Sequence, residues 1–146
     1  MRKFEKVSYN NTGILPTRSD TRSAGYDIYS TEDKWIYPNS MEKFITNIKV
    51  YMEPDEVLMI YPRSGLGFKY YTRLANSTGI IDSDYYYSDN EGHIFIKMTN
   101  DSNEGKTVEV AAGTGFAQGI FLEYGITVDD AAEGIRNGGF GSTTAK

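Results

Sequence analysis

The chain has 146 residues, the length of one domain, a formal net charge of −5 and no cysteine. A domain of this size buries roughly 70% of the surface its unfolded chain exposes, so it needs no cross-links, and the missing thiols exclude disulfides, cysteine-ligated metals and cysteine nucleophiles. The acidic balance, without any basic run, argues against a nucleic-acid binder; an anionic small ligand would require positive charge and backbone N–H groups concentrated locally.

The opening residues Met1-Arg2-Lys3-Phe4-Glu5-Lys6 lack an apolar core, so no signal peptide is expected. The longest apolar run, Val57–Tyr61, is too short to span a bilayer. With no disulfides either, a cytoplasmic location is expected. Ala24-Gly25-Tyr26-Asp27-Ile28 opens a predicted strand, in which Asp27 alone reads as a turn aspartate. Phe44, Thr46, Ile48, Val50 and Met52 alternate with their neighbours and are expected on one strand face.

Val57–Tyr61 is a predicted strand, followed by Pro62-Arg63-Ser64-Gly65-Leu66-Gly67 and a short helix over Leu66–Tyr71. A strand, a glycine turn and a helix start bring free N–H groups together, a geometry that binds phosphate; an ordinary loop with an exposed arginine fits the same residues. In Asn76-Ser77-Thr78-Gly79-Ile80-Ile81-Asp82-Ser83-Asp84-Tyr85 the two aspartates stand two apart, facing one way if the segment is a strand. Such a pair can hold a metal, act as a base, or sit at a solvated hairpin end; one member can also be catalytic while the other ties chains together. His93, the only histidine, has no partner at ligand spacing and reads as structural or surface.

Ile94, Ile96 and Met98, then Val108 and Val110, repeat the two-residue period. Gly113-Thr114-Gly115-Phe116-Ala117-Gln118-Gly119 has the wrong glycine spacing and surroundings for a dinucleotide fingerprint, and Phe116–Tyr124 reads as a buried strand. Short strands between turn signals such as Pro38-Asn39-Ser40 and Asn103-Glu104-Gly105 predict an all-β sandwich or barrel. Residues 129–146 are small and glycine-rich and read as a mobile tail. Within it, Arg136-Asn137-Gly138-Gly139-Phe140-Gly141-Ser142-Thr143 suits either a disordered end or a lid whose ring stacks on a base while cation and hydroxyls hold phosphate.

In order and content, the five segments around Asp27, Arg63, Asp82, Gln118 and Phe140 resemble the five motifs of the trimeric dUTPase family. The resemblance implies a jelly-roll-like β-barrel over residues 1–128 with one short helix, and a flexible lid over 129–146 that belongs functionally to the same domain. It implies a homotrimer with dUTP bound at subunit interfaces and Mg²⁺ carried mainly on the triphosphate, with Asp27 reaching the metal through water. Arg63, Ser64 and Gly65 would hold phosphate, and Asn76, Gly79 and Ile81 would read uracil. Asp82 would activate water, and Gln118 would contact phosphate or that water. Tyr85 would exclude a 2′-hydroxyl, and Arg136, Phe140, Gly141, Ser142 and Thr143 would close over the nucleotide. Chemistry at the α-phosphorus with a carboxylate base, cations and a dry site needs no cysteine or histidine.

Three departures stand out. Thr114 and Gly115 replace an acidic residue and an arginine, the fifth motif is one residue short after Arg136, and the Tyr86–Glu91 loop is about five residues longer than the pattern of the family. That loop is a candidate contact for a regulatory protein partner, so a dUTPase scaffold acting by protein contact is the second reading. A dCTP deaminase shares the fold, but the residues after Asp82 differ from its pattern and no matching catalytic glutamate is found.

Overall fold

The structure, a computed structural model, describes residues 1–140. Its elements in chain order are β1 Lys3–Lys6, β2 Tyr26–Tyr29, β3 Lys34–Ile36, β4 Met41–Ile45, β5 Ile48–Tyr51, β6 Glu56–Pro62, α1 Ser64–Tyr70, β7 Thr72–Leu74, β8 Gly79–Asp82, a 3₁₀ turn Ser83–Tyr87, β9 Phe95–Asn100, β10 Val108–Val110 and β11 Gly115–Glu123. The all-β class and the single short helix agree with the sequence reading. Among the described residues the strands pair antiparallel in four sheets, ordered β2-β11-β6-β8, β4-β9-β7, β1-β5 and β3-β10, so the barrel is built of facing sheets without one closed ring of hydrogen bonds. No helix among the described residues is long and apolar enough to cross a membrane.

The predicted face Phe44, Thr46, Ile48, Val50 and Met52 is buried throughout, but it is not one strand. β4 ends at Ile45 and β5 begins at Ile48, and Asn47 between them adopts φ 58°, a left-handed conformation that asparagine tolerates. Thr46 Oγ1 donates to the Ile94 carbonyl at 2.6 Å, and the Asn47 N–H donates to His93 Nε2 at 2.9 Å. The chain thus passes from one sheet to another with its buried polar groups satisfied. The break spans an even number of residues, so the alternation survives it. His93 is buried and structural: Nε2 accepts from Asn47, so the ring proton sits on Nδ1, against the Tyr9 hydroxyl.

The core lies between the two larger sheets. Phe44 of β4 stacks on Phe116 of β11 with centroids 3.9 Å apart and planes 15° from parallel. Truncating either ring would cost about 3–5 kcal/mol. After β11 the described chain forms no further helix or strand, and Arg136 to Phe140 return to the 3₁₀ turn.

Candidate active site

The phosphate-binding candidates gather at the Pro62 end of β6. The short helix forms as predicted but starts two residues earlier, at Ser64 directly after the strand, so Gly65 and Gly67 lie within it rather than in a turn before it; Ser64 and Gly65 are exposed. The first intrahelical bond runs from the Gly67 N–H to the Arg63 carbonyl at 3.1 Å, so the preceding amides have no partner within the helix. Arg63 Nε lies 3.3 Å from Asp27 Oδ1, and Nη1 donates to the Gly115 carbonyl at 3.3 Å. Asp27 on β2 sits in register with Gln118 on β11, whose Nε2 donates to the Pro62 carbonyl at 3.2 Å. Two glycines make room for this cluster: a Cβ at Gly25 would strike Gln118 Oε1, and one at Gly115 would come within 2.9 Å of Arg63 Nη1. Gly115, read above as a lost charged contact, is therefore also the residue that seats Arg63.

The base-reading candidates gather at the neighbouring hairpin. The crest between β7 and β8 carries Asn76 and Ser77, the latter at φ 71°. Below it, β8 passes so close to β6 that a Cβ at Gly79 would lie 3.0 Å from Ile60 Cβ. A cleft of about 700 Å³ opens here, lined by Asn76, Gly79, Ile81 and Phe140, with Lys43 and Phe95 on another wall. Those last two escape the motif reading because they belong to β4 and β9, and no spacing in the sequence joins those strands to the hairpin.

The carboxylates stand beside this cleft. β8 ends at Asp82 and the chain turns into the 3₁₀ segment, so Asp82 and Asp84 do not share a strand face as predicted. Arg136 brings them together: Nη2 is 2.6 Å from Asp82 Oδ2 and Nε 2.8 Å from Asp84 Oδ1. Both aspartates are about half exposed while the arginine is largely covered. Arg136 thus pairs with both aspartates of the motif, a contact the sequence reading did not foresee.

Tyr85 is 3% exposed, its hydroxyl donating to the His93 carbonyl and accepting from Asn90 Nδ2 at 2.9 Å. Burial pushes its phenol pKa up, against smaller opposing effects of Asn90 and Arg136 and a further upward push from Tyr9. Tyr85→Ala would therefore empty a core position as well as the sugar side, which makes it a poor probe of sugar choice. The tail lies against this ring. A Cβ at Gly139 would collide with Tyr85, and Phe140 meets Tyr85 edge-on at 5.8 Å and Phe95 at 5.7 Å. Gly141, Ser142 and Thr143 lie outside the described residues.

The Tyr86–Glu91 loop is held down on both sides. The Tyr86 hydroxyl donates to Glu5 Oε1 at 2.6 Å, and that bond, with burial next, pushes its pKa up to about 12. Glu91 accepts from Ser8 and from Lys49 Nζ at 3.2 Å. Tyr87 stands out at 68% exposure.

The hairpin lies near the phosphate set, Gly79 pairing with Ile60 two residues from Pro62, but Asp82 is carried to the far end of β6. Along β6, Asp82 pairs with Val57, whereas Pro62, five residues on, pairs with Ala117 next to Gln118. At 3.3 Å per residue that is roughly 17 Å, several times the reach of a proton transfer.

The chain matches the dUTPase family over residues 11–144. A deoxyuridine 5′-triphosphate nucleotidohydrolase from Lactococcus lactis subsp. lactis is 41% identical over 150 residues, covering 99% of both chains. The crystal structure of a dUTPase from Streptococcus mutans superposes with a TM-score of 0.76 at 35% identity, covering 88% of this chain and 99% of that one. The dUTPase of Staphylococcus bacteriophage 80alpha, solved with dUPNHPP, superposes at 0.74 and 20% identity, covering 97% of each, which bears on the fold alone. Family match and full-length identity agree with the motif order, and the chain belongs to the dUTPase family.

Proposed function

We propose that the protein hydrolyses dUTP to dUMP and pyrophosphate in the cytoplasm, as a homotrimer whose sites are shared between chains. The observation that carries this reading is the placement of Asp82 beside the base cleft while the phosphate-binding set stands ~17 Å away on the same sheet. A second copy must supply the missing half, and a closed ring of three satisfies every half-site.

Within such a site Arg63, Ser64 and Gly65 hold the phosphates by charge and N–H donation. Asn76, Gly79 and Ile81 take uracil, and Phe140 closes over it. Asp82 takes a proton from water as its oxygen bonds to the α-phosphorus, and the bond to the bridging oxygen breaks with pyrophosphate leaving. Gln118 orients a phosphate oxygen or that water. Tyr85, fixed at its hydroxyl by His93 and Asn90, presents an unyielding ring toward the sugar and rejects a 2′-hydroxyl. Among the described residues no three acidic or histidine side chains cluster, and Asp27 offers one carboxylate beside Arg63. That carboxylate would hold Mg²⁺ through water, and the ion when bound would neutralise charge on the triphosphate.

Pyrophosphate release measured across the deoxy- and ribonucleoside triphosphates tests the activity: dUTP should react far faster than any other. No release from dUTP, or ammonia release from dCTP, would refute it. Regulation by contact with another protein is favoured by one observation, the exposed Tyr87 at the crest of an otherwise anchored loop. Such a role need not exclude catalysis, and a Tyr87→Ala enzyme with full turnover and lost partner binding would separate the two.

A further inference from the structure

The base cleft has a second wall that none of the five motifs supplies. It is formed by Lys43 on β4 and by Phe95 and Lys97 on β9. Lys43 Nζ stands 4.4 Å from the centroid of the Phe95 ring, a cation–π distance. Phe95 is itself backed by His93, with centroids 4.3 Å apart and planes 32° from parallel. Because His93 is fixed at both ring nitrogens, by Asn47 and Tyr9, the ring under Lys43 rests on an anchored neighbour.

Lys43 also faces Lys97 as its direct partner in the β4–β9 register. Like charges directly opposite one another disfavour a strand pair. Among the described residues neither lysine makes an ion pair, whereas Lys3, Lys34, Lys49 and Lys106 all do. His93 adds no third cation: burial first, and Lys43 next, hold its pKa below the usual value, with Glu91 opposing. Two ammonium groups at the cleft with no carboxylate to meet them suit a ligand that brings acceptor oxygens.

We propose that Lys43 is a specificity-determining residue for the base, its ammonium donating to a carbonyl oxygen of uracil, and that Phe95 is the positioning residue that aims it. An ammonium is a donor only. It meets an acceptor at position 4 of uracil but an amino group, another donor, at position 4 of cytosine. The inference rests on the dUTPase reading above, in that it assigns the cleft to the base.

The test uses the full-length chain and the Lys43→Met variant, which keeps the stem and removes the charge. Binding of dUMP and dCMP is measured by calorimetry, and kcat/KM for dUTP and dCTP by pyrophosphate release. Losing one charge-assisted hydrogen bond should lower the preference for uracil about 10- to 100-fold in both readouts. For dUTP the loss should fall more on KM than on kcat, the split expected of a contact to the base rather than to the reacting atoms. Phe95→Leu should reproduce part of the loss, and the double variant should lose less than the sum of the singles. An unchanged uracil preference in Lys43→Met overturns the proposal, as does equal weakening of uracil and cytosine ligands or strict additivity of the two variants. A wild-type chain that releases no pyrophosphate from dUTP would refute the enzyme reading instead, and the dUMP against dCMP comparison would still decide on Lys43.

Discussion

If the active site is shared between chains, two dead enzymes should make a live one. Asp82→Asn removes the proposed base and leaves the phosphate set intact; Arg63→Gln does the reverse. The two positions lie at opposite ends of β6, roughly 17 Å apart along the strand, and on the shared-site reading they serve a site from different chains. When the two variants are unfolded together at equal concentration and refolded, chains enter trimers at random. A site is intact only if the chain supplying the carboxylate is the Arg63→Gln copy and the one supplying the arginine is the Asp82→Asn copy. Each condition holds half the time, so about one quarter of the sites should be whole, and pyrophosphate release should recover to about a quarter of wild type. Each variant refolded alone sets the baseline, and mixing without unfolding shows whether chains exchange. Neither substitution touches the hydrophobic core, so both should yield folded trimers, which light scattering checks. Recovery no higher than the baseline would mean that both residues serve the site of one chain, and the shared-site reading would fall.

Asp82→Asn should lower kcat about 10²–10⁴-fold with dUMP affinity little changed, whereas Asp84→Asn should keep most of the rate and cost about 0–1 kcal/mol in thermal melting, since its bond to Arg136 is half exposed. Equal rate losses would show that the pair is misassigned. Deleting Gly134–Lys146 should leave a folded trimer with kcat/KM greatly reduced, because its described part, residues 134–140, supplies contacts to Asp82, Tyr85 and the cleft but no buried core residue; an unchanged kcat/KM would remove the tail from the site. His93 has a lowered pKa from burial, so the unfolded chain binds its proton more readily; stability is complete above the ordinary value of 6.5 and declines as pH falls from there toward the folded value. Melting of His93→Gln should lose part of that pH dependence, and an unchanged slope between pH 7 and 5 would contradict the assignment.

Much of this was legible in the chain because alternation is a local signal. Ile94, Ile96, Met98, Val108 and Val110 are buried where the two-residue period puts them, and a short helix follows β6 as expected. The same signal is blind to where a strand changes sheets. Phe44 to Met52 keeps its burial pattern through the bend at Asn47, so periodicity reads one strand where there are two. Pairing across the fold was equally hidden: Lys43 reaches the base cleft only because β4 pairs with β9, which pairs with β7 beside the hairpin. Arg136 meets Asp82 and Asp84 from more than fifty residues away through a segment with no helix or strand, and no local pattern encodes that return.

Both arginines of the proposed site lie on carboxylates of the same chain. Arg63 lies on Asp27, and Arg136 lies on Asp82 and Asp84. A triphosphate is a stronger partner for guanidinium than an exposed carboxylate, since it offers more charge and more acceptor oxygens in bidentate geometry. On the dUTPase reading its arrival draws Arg136 away from Asp82 and Arg63 away from Asp27. On that reading the first exchange leaves the Asp82 carboxylate without its guanidinium partner and open to water. The second leaves the Asp27 carboxylate open, where it would hold a metal through water. Nucleotide binding and release of both carboxylates are then one event on that reading, driven by the stronger pairing of guanidinium with phosphate.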